Sequence, residues 1–230
     1  MGLIVIGIIF SIISFAVGAK LRNKFKKYSQ IPLRSNMSGA EAAAQMLRDN
    51  GIYDVEIIST PGELTDHYNP GNKTVNLSEA VYHGRSAASV AVATHECGHA
   101  VQHAKAYAPL KLRSALVPVQ SVSGRILNFI VIASIFGGGF FLNVGYQPIL
   151  LVVFGCYLVI TLFSLVTLPV EFDASKRALA WIDRQGVVSS QEHSMAKDAL
   201  KWAAMTYVVA AIGAFAQLAY LAMALFGGRD

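Results

Sequence analysis

The chain has 230 residues, of which 54% are hydrophobic and only 14% charged, with a mean hydropathy of +0.47. Soluble domains carry charged side chains at about a quarter of positions, so this composition describes an integral membrane protein and excludes a disordered chain. A net charge of +5 would suggest nucleic acid in a soluble protein, but cytoplasmic lysine and arginine explain it in a membrane protein, and nucleic acid is excluded as a partner.

The first element in the chain is an uncharged apolar run, Met1 to Ala19, close to the roughly 20 residues that cross a bilayer as helix. Ala16-Val17-Gly18 has some likeness to a cleavage site, but the basic residues follow the apolar run instead of preceding it, so a retained anchor is expected. Lys20, Arg22, Lys24, Lys26 and Lys27 then mark a cytoplasmic exit. Ser38 and Glu41 have the spacing of a capping box and open a short helix that stops at Asn50-Gly51. Val55 to Ser59, Leu64 to Tyr68 and Lys73 to Leu77 have strand composition, the last two joined by the turn Asn69-Pro70-Gly71-Asn72. Ala87 to Ala106 reads as one helix.

Three more spans follow, Ile126 to Leu142, Ile149 to Val170 and Ala203 to Phe226, none with Asp, Glu, Lys or Arg. The Asn143 to Pro148 connection is uncharged, whereas Glu171 to Trp202 carries Lys176, Arg177, Arg184, Lys197 and Lys201. The expected order is an anchor over 1–19, a cytoplasmic region over 20–125, two spans within 126–170, a cytoplasmic helical segment over 171–202, and a last span with a short tail over 203–230. Both termini then lie outside, and every charged residue except Arg229 and Asp230 lies inside. Cys97 and Cys156 are the only cysteines, and with Cys156 in an apolar run no disulfide framework is expected. Trp181 and Trp202 read as interfacial rings near helix ends.

The helix over Ala87–Ala106 carries His95-Glu96-Cys97-Gly98-His99. Two histidines four apart share one helix face, roughly 6 Å apart along the axis, so both imidazoles reach one ion. The ion this H-E-x-x-H arrangement suits is Zn2+, and Glu96 is placed to act as general base toward water. Gly98 permits a close approach by another backbone or by substrate. His103 extends the same face, but roughly 12 Å separates it axially from His95, so it reads as a supporting residue and not a ligand. Glu171, where the third span returns to the same face, would complete a site of two histidines and one glutamate with a position left open.

The H-E-x-x-H helix, Asp66-His67-Tyr68-Asn69-Pro70, Asn76-Leu77-Ser78 and Pro169-Val170-Glu171-Phe172-Asp173-Ala174-Ser175 together resemble the YugP-type neutral zinc metallopeptidases of bacterial membranes. The resemblance covers nearly the whole chain. It implies a membrane-bound zinc peptidase, mainly α-helical with about four transmembrane helices and a small α+β zincin-like cytoplasmic region. More distantly the site is similar to the HtpX and CAAX-prenyl-protease types, whose E-F-x-A-D motif supplies the third ligand and so places Glu171 on the metal. Ser175 stands where those families have an aspartate that orients a zinc-binding histidine. Either Asp173 supplies that carboxylate or the role is absent.

The function expected is a zinc-dependent endopeptidase acting on membrane-associated or unfolded polypeptides at the cytoplasmic face of the bilayer. The alternative is a non-catalytic zinc-binding membrane adaptor or scaffold, against which the intact Glu96 speaks. An intramembrane protease would need the zinc helix inside the bilayer, and Ala87 to Thr94 is too short an apolar run for that. A transporter would need charged residues in the spans. His67, Tyr68, Tyr82, His83 and Arg177 are the side chains available to stabilise an oxyanion. Lys73 to Leu77 is the candidate for a free sheet edge on which an extended substrate docks, the alternative being an internal strand of a small sheet.

Overall fold

The structure is a computed structural model that describes residues 2–136 and 145–227. The end of the predicted span Ile126–Leu142, the first two residues of the uncharged connection (Asn143 and Val144), and Arg229 and Asp230 lie outside the described residues. The chain is mostly helical. In order it forms α1 (Gly2–Ser29), α2 (Gly39–Asp49), β1 (Glu56–Thr60), β2 (His67–Asn69), β3 (Thr74–Ser78), α3 (Glu79–Tyr82), α4 (Ala87–Ala104), α5 (Ala108–Phe136), α6 (Tyr146–Arg184) and α7 (Ser190–Phe226). By length and composition, α1, α5, α6 and α7 can each cross a membrane.

Each of these helices is longer than its apolar run. No helix breaker separates Ala19 from Lys20, and α1 continues through the basic exit to Ser29. Pro109 sits in the first turn of α5, where a missing N–H costs nothing, so that helix opens at Ala108, well before Ile126. α7 begins at Ser190 because Ser189 and Glu192 form a second capping box: Ser189 N–H donates to Glu192 Oε2 (2.6 Å) and Glu192 N–H to Ser189 Oγ (3.3 Å).

Contacts divide the chain into two units. One comprises Met1–Phe15, Leu112–Leu168 and Tyr207–Asp230, the most apolar stretches. Its surface shows Ile12, Phe15, Phe129, Ile135, Leu162 and Phe215 exposed. Within it Thr161, Ser164 and Thr167 donate to the carbonyls of Tyr157, Ile160 and Phe163 one turn back in their own helix.

The other unit, Ala16–Lys111 and Pro169–Thr206, holds the sheet and α4. Its core joins Met46 and Leu47 of α2, Val75 and Leu77 of β3, Val90 and Cys97 of α4, and Trp181 and Ile182 of α6. Each large aliphatic side chain so buried stabilises the fold by about 1.5–3 kcal/mol. The expected capping box is present, with Ser38 N–H on Glu41 Oε2 (2.7 Å) and Glu41 N–H on Ser38 Oγ (3.2 Å). Arg85 pairs with Glu41 and donates to the Asn36 carbonyl, tying the start of α2 to the segment before α4. Trp181 is not interfacial: it is 2% exposed, and its Nε1–H donates to Asp49 Oδ2 at 2.8 Å. The face of α6 turned to α2 needs a large apolar side chain, and the one polar atom of the indole finds a carboxylate there. Trp202 lies under the Lys20 ammonium, 5.8 Å from the ring centre.

The sheet corrects the edge-strand expectation. Its order is β1-β3-β2, β1 parallel to β3 with Ile57 opposite Val75, β2 antiparallel with Tyr68 opposite Val75. Thr74 to Leu77 of that run therefore lie in the central strand, Thr74–Ser78. All five residues of β3 are buried, and the polar ones are internally satisfied, Asn76 Nδ2 donating to Thr74 Oγ1 at 2.8 Å. Lys73 lies just outside the strand at positive φ and pairs with Asp54. The edges are β1 and β2. The predicted strand Leu64–Tyr68 shrinks to His67–Asn69, with Leu64 at φ 56° in the loop before it.

Candidate metal centre

Ser86 caps α4, its Oγ accepting from Ser89 N–H at 3.1 Å, and the alanine and valine of the first turns bury the helix among α2, α3 and the sheet. Buried inside a unit, the helix must give its polar side chains partners, because an unpaired buried polar group costs several kcal/mol. His95 and His99 lie one turn apart with ring centres 4.8 Å apart and planes at 83°. Glu171 of α6 meets them: its Oε2 is 3.3 Å from His95 Nε2 and 3.7 Å from His99 Nε2. One ligand atom from each of the three lies within 4.8 Å of the others, and Glu171 is 3% exposed.

Gly98 makes this meeting possible. A carbon added at its Cβ position would lie 2.7 Å from the Ala174 carbonyl oxygen and 3.0 Å from the Ala174 Cα. The α6 backbone therefore crosses α4 at the glycine between the histidines, three residues past Glu171. The close approach is made by the helix that carries Glu171.

Both imidazoles are fixed from behind. Ser175 Oγ is 3.1 Å from His95 Nδ1, and Gln102 Oε1 is 3.0 Å from His99 Nδ1. Gln102 Nε2 donates to the Val170 carbonyl and to Asp173 Oδ2, both at 2.8 Å, and Arg177 Nε donates to the same Oδ2 at 2.6 Å. A carbonyl can only accept, so the Gln102 amide has one orientation and its oxygen must accept from His99 Nδ1–H. His99 Nε2 then presents a lone pair toward His95 and Glu171, while the Ser175 hydroxyl can donate to or accept from His95 Nδ1. The donor set is two imidazole nitrogens and one carboxylate oxygen, backed by outer hydrogen bonds, and it fits zinc. The field agrees: burial disfavours a charge on His99, but the carboxylates of Glu171 and Glu96 outweigh it and hold its pKa above the ordinary 6.5. Positive charge is favoured at this point.

Glu96 is 8% exposed, and its Oε2 accepts from the Tyr68 N–H of β2 at 3.1 Å. Tyr68 turns that N–H away from β3, so the outer edge of β2 faces the centre. The Tyr68 hydroxyl bonds His103 Nδ1 at 2.7 Å, which places His103 at the sheet and not on the ion. Asp66, two residues before Tyr68, anchors the loop through Ser78 N–H (2.8 Å) and Oγ, and burial pushes its carboxyl above the ordinary value. Cys97 is buried with its thiol on the Ala43 carbonyl, and burial raises its pKa.

The remaining expected residues fall in two groups. Asp173 and Arg177 join the centre through Gln102, and Arg177 also lies over the Tyr107 ring. His83 caps the end of α3, exposed and edge-on to Tyr82, while exposed His67 bonds the Thr65 carbonyl through Nδ1. Neither is bonded to the centre. Sequence reasoning missed Gln102 and the role of Ser175. The available signal for Gln102 was its place three residues after His99, a neighbouring position on a helix surface.

The family described as "Putative neutral zinc metallopeptidase" matches residues 3–226. Among curated proteins, the "Putative membrane protease YugP" of Bacillus subtilis (strain 168) is 38% identical over 218 residues, covering 95% of this chain and 94% of that one. No solved structure matches the chain significantly.

Proposed function

The chain belongs to the family of neutral zinc metallopeptidases, and from that premise we propose that it is a multi-pass membrane endopeptidase in which His95, His99 and Glu171 hold zinc and Glu96 is the general base. Its substrates in this reading are membrane-associated or unfolded polypeptides, cleaved at the cytoplasmic face in a zincin-like region. The observation that carries the proposal is the convergence of three ligand atoms within 4.8 Å beside a buried carboxylate that is not one of them.

Zinc at this position would supply Lewis acidity toward a substrate carbonyl and lower the pKa of a water molecule. The chain's own residues do the rest. Tyr68 N–H holds one oxygen of Glu96, and the proton of the attacking water is taken on the other and later given to the leaving amine. Ser175 and Gln102 keep both imidazoles oriented, with Asp173 and Arg177 steadying Gln102. The β2 edge, next to Glu96, offers backbone groups to an extended peptide without reading its sequence.

Glu96→Gln separates catalysis from metal binding. Purified in detergent, the variant should retain one zinc per chain by elemental analysis and lose hydrolysis of an unfolded protein by about 100-fold or more. Retained hydrolysis removes Glu96 as base. A zinc-loaded wild-type protein that cleaves nothing would favour the scaffold.

A further inference from the structure

Between the second half of α6 and the first half of α7 lies an open cleft of about 620 Å3, with no residue of β2 in its lining. Its floor is apolar, made by Leu179, Ala180 and Leu200, and Ser175, which supports His95, lines it as well. Three lysines, Lys176, Lys197 and Lys201, rim it, against one carboxylate, Asp183. All three are exposed, and among the described residues none of them is in an ion pair, whereas Lys24, Lys73, Arg85 and Arg177 each are. Lys176 and Lys201 act on Asp173 and Asp198 at longer range, which leaves all three ammonium groups open to a contacting anion.

The cleft is also graded along its length. Asp183 and His193 lie next to the turn that joins the helices, and Phe172, Ala204 and Met205 line the far end. That end is where each helix meets its apolar run, which closes at Val170 on α6 and opens at Ala203 on α7. Polar end, cationic rim and apolar exit follow the order of a membrane interface from water to hydrocarbon.

We propose that this cleft binds one anionic phospholipid, with its phosphate on Lys176, Lys197 and Lys201 and an acyl chain leaving past Phe172, Ala204 and Met205. A phosphate diester supplies the acceptors that three unpaired ammonium groups need, and the chain covers apolar surface that water would otherwise face. A zwitterionic headgroup brings its own cation to the lysines and binds less well. The occupant lies behind His95, apart from the substrate edge, so the proposal does not depend on peptide hydrolysis.

The full-length protein is placed in phosphatidylcholine nanodiscs containing phosphatidylglycerol, and lipid retained on release is counted by native mass spectrometry. One retained phosphatidylglycerol per chain is expected. The combined Lys176→Gln, Lys197→Gln, Lys201→Gln protein should lose it at least about tenfold, since each basic residue near an anionic surface contributes substantially. Lys26→Gln, Lys27→Gln, Lys111→Gln, which removes equal charge outside the cleft, should keep it. Ala180→Trp, at an exposed floor position, fills the cleft without touching charge and should also expel the lipid. Equal loss in both triple variants would mean diffuse attraction and overturn the site, as would retention by the cleft triple or by Ala180→Trp, or equal retention of phosphatidylcholine. A cleft that retains a glutamate-rich peptide and no phosphatidylglycerol belongs to polypeptide, which also overturns the proposal.

Discussion

Gln102 spends its amide on two helices, donating from Nε2 to the Val170 carbonyl and to Asp173 while Oε1 holds His99 Nδ1. Leucine has similar bulk and no acceptor, so Gln102→Leu leaves His99 Nδ1–H unsatisfied in a dry interior and takes one donor from Asp173. We predict that this variant folds and binds zinc about 10–100-fold more weakly, read by chelator competition. Gln102→Glu keeps the acceptor for His99 but sets a second carboxylate oxygen against Asp173 Oδ2 and the Val170 carbonyl, so it should not recover the affinity, whereas unchanged affinity in the leucine variant would mean that the ring is held by other contacts. The two histidines and the proposed base were legible because H-E-x-x-H has few other uses on a helix, and Glu171 from its place where the third apolar run ends together with the family resemblance. A glutamine, by contrast, is polar, common and silent until the carbonyl it donates to is known. Ser175 was read as a departure from an aspartate pattern, yet its hydroxyl sits on His95 Nδ1. A short neutral side chain suffices where the backbones are this close.

At the scale of elements, the crossing of α4 and α6 decides whether Glu171 reaches the histidines. A methyl at Gly98 would overlap the Ala174 carbonyl, and carbonyl oxygens on a helix cannot swing aside as a side chain can. Gly98→Ala should therefore lower stability by about 1–3 kcal/mol and weaken zinc retention as Glu171 withdraws. Thermal melting and elemental analysis of one preparation test both effects, and a wild-type melt with full zinc would show that the crossing is not tight. The glycine's use was readable from sequence, but the order of strands was not. Lys73 and Asn76 look like edge residues by composition. Their satisfaction by Asp54 and by Thr74 depends on chain geometry that no local pattern carries. The same holds for β2, three residues long, whose bond to Glu96 no local pattern carries although its residues belong to a stretch that bears the family resemblance.

For the whole molecule, the four membrane-length helices were legible from apolar runs, and the helix ends were not, since Pro109 and Ser189 act as starts that a hydropathy window averages away. The topology proposed from charge places the connection before α6 outside and the one before α7 inside. Single cysteines at exposed Gln147 and exposed Gln191, labelled in intact cells with a membrane-impermeant maleimide, should react at Gln147→Cys and stay unlabelled at Gln191→Cys until the cells are opened. Labelling of both from outside would contradict the arrangement. Cys97 and Cys156 are buried and should give little background.

The helix that brings Glu171 also imposes an order in time. Translation at about 5–20 residues per second needs ~4 to 14 s to add the roughly 70 residues between His99 and Glu171, and two bilayer crossings are threaded in that interval under the proposed topology. A nascent chain thus emerges with both histidines and the base in place but without the acidic partner that completes the trio. Under the proposed function, latency during biogenesis follows from the order of the chain alone, because a centre of two histidines stays short of its acidic ligand until both crossings are made.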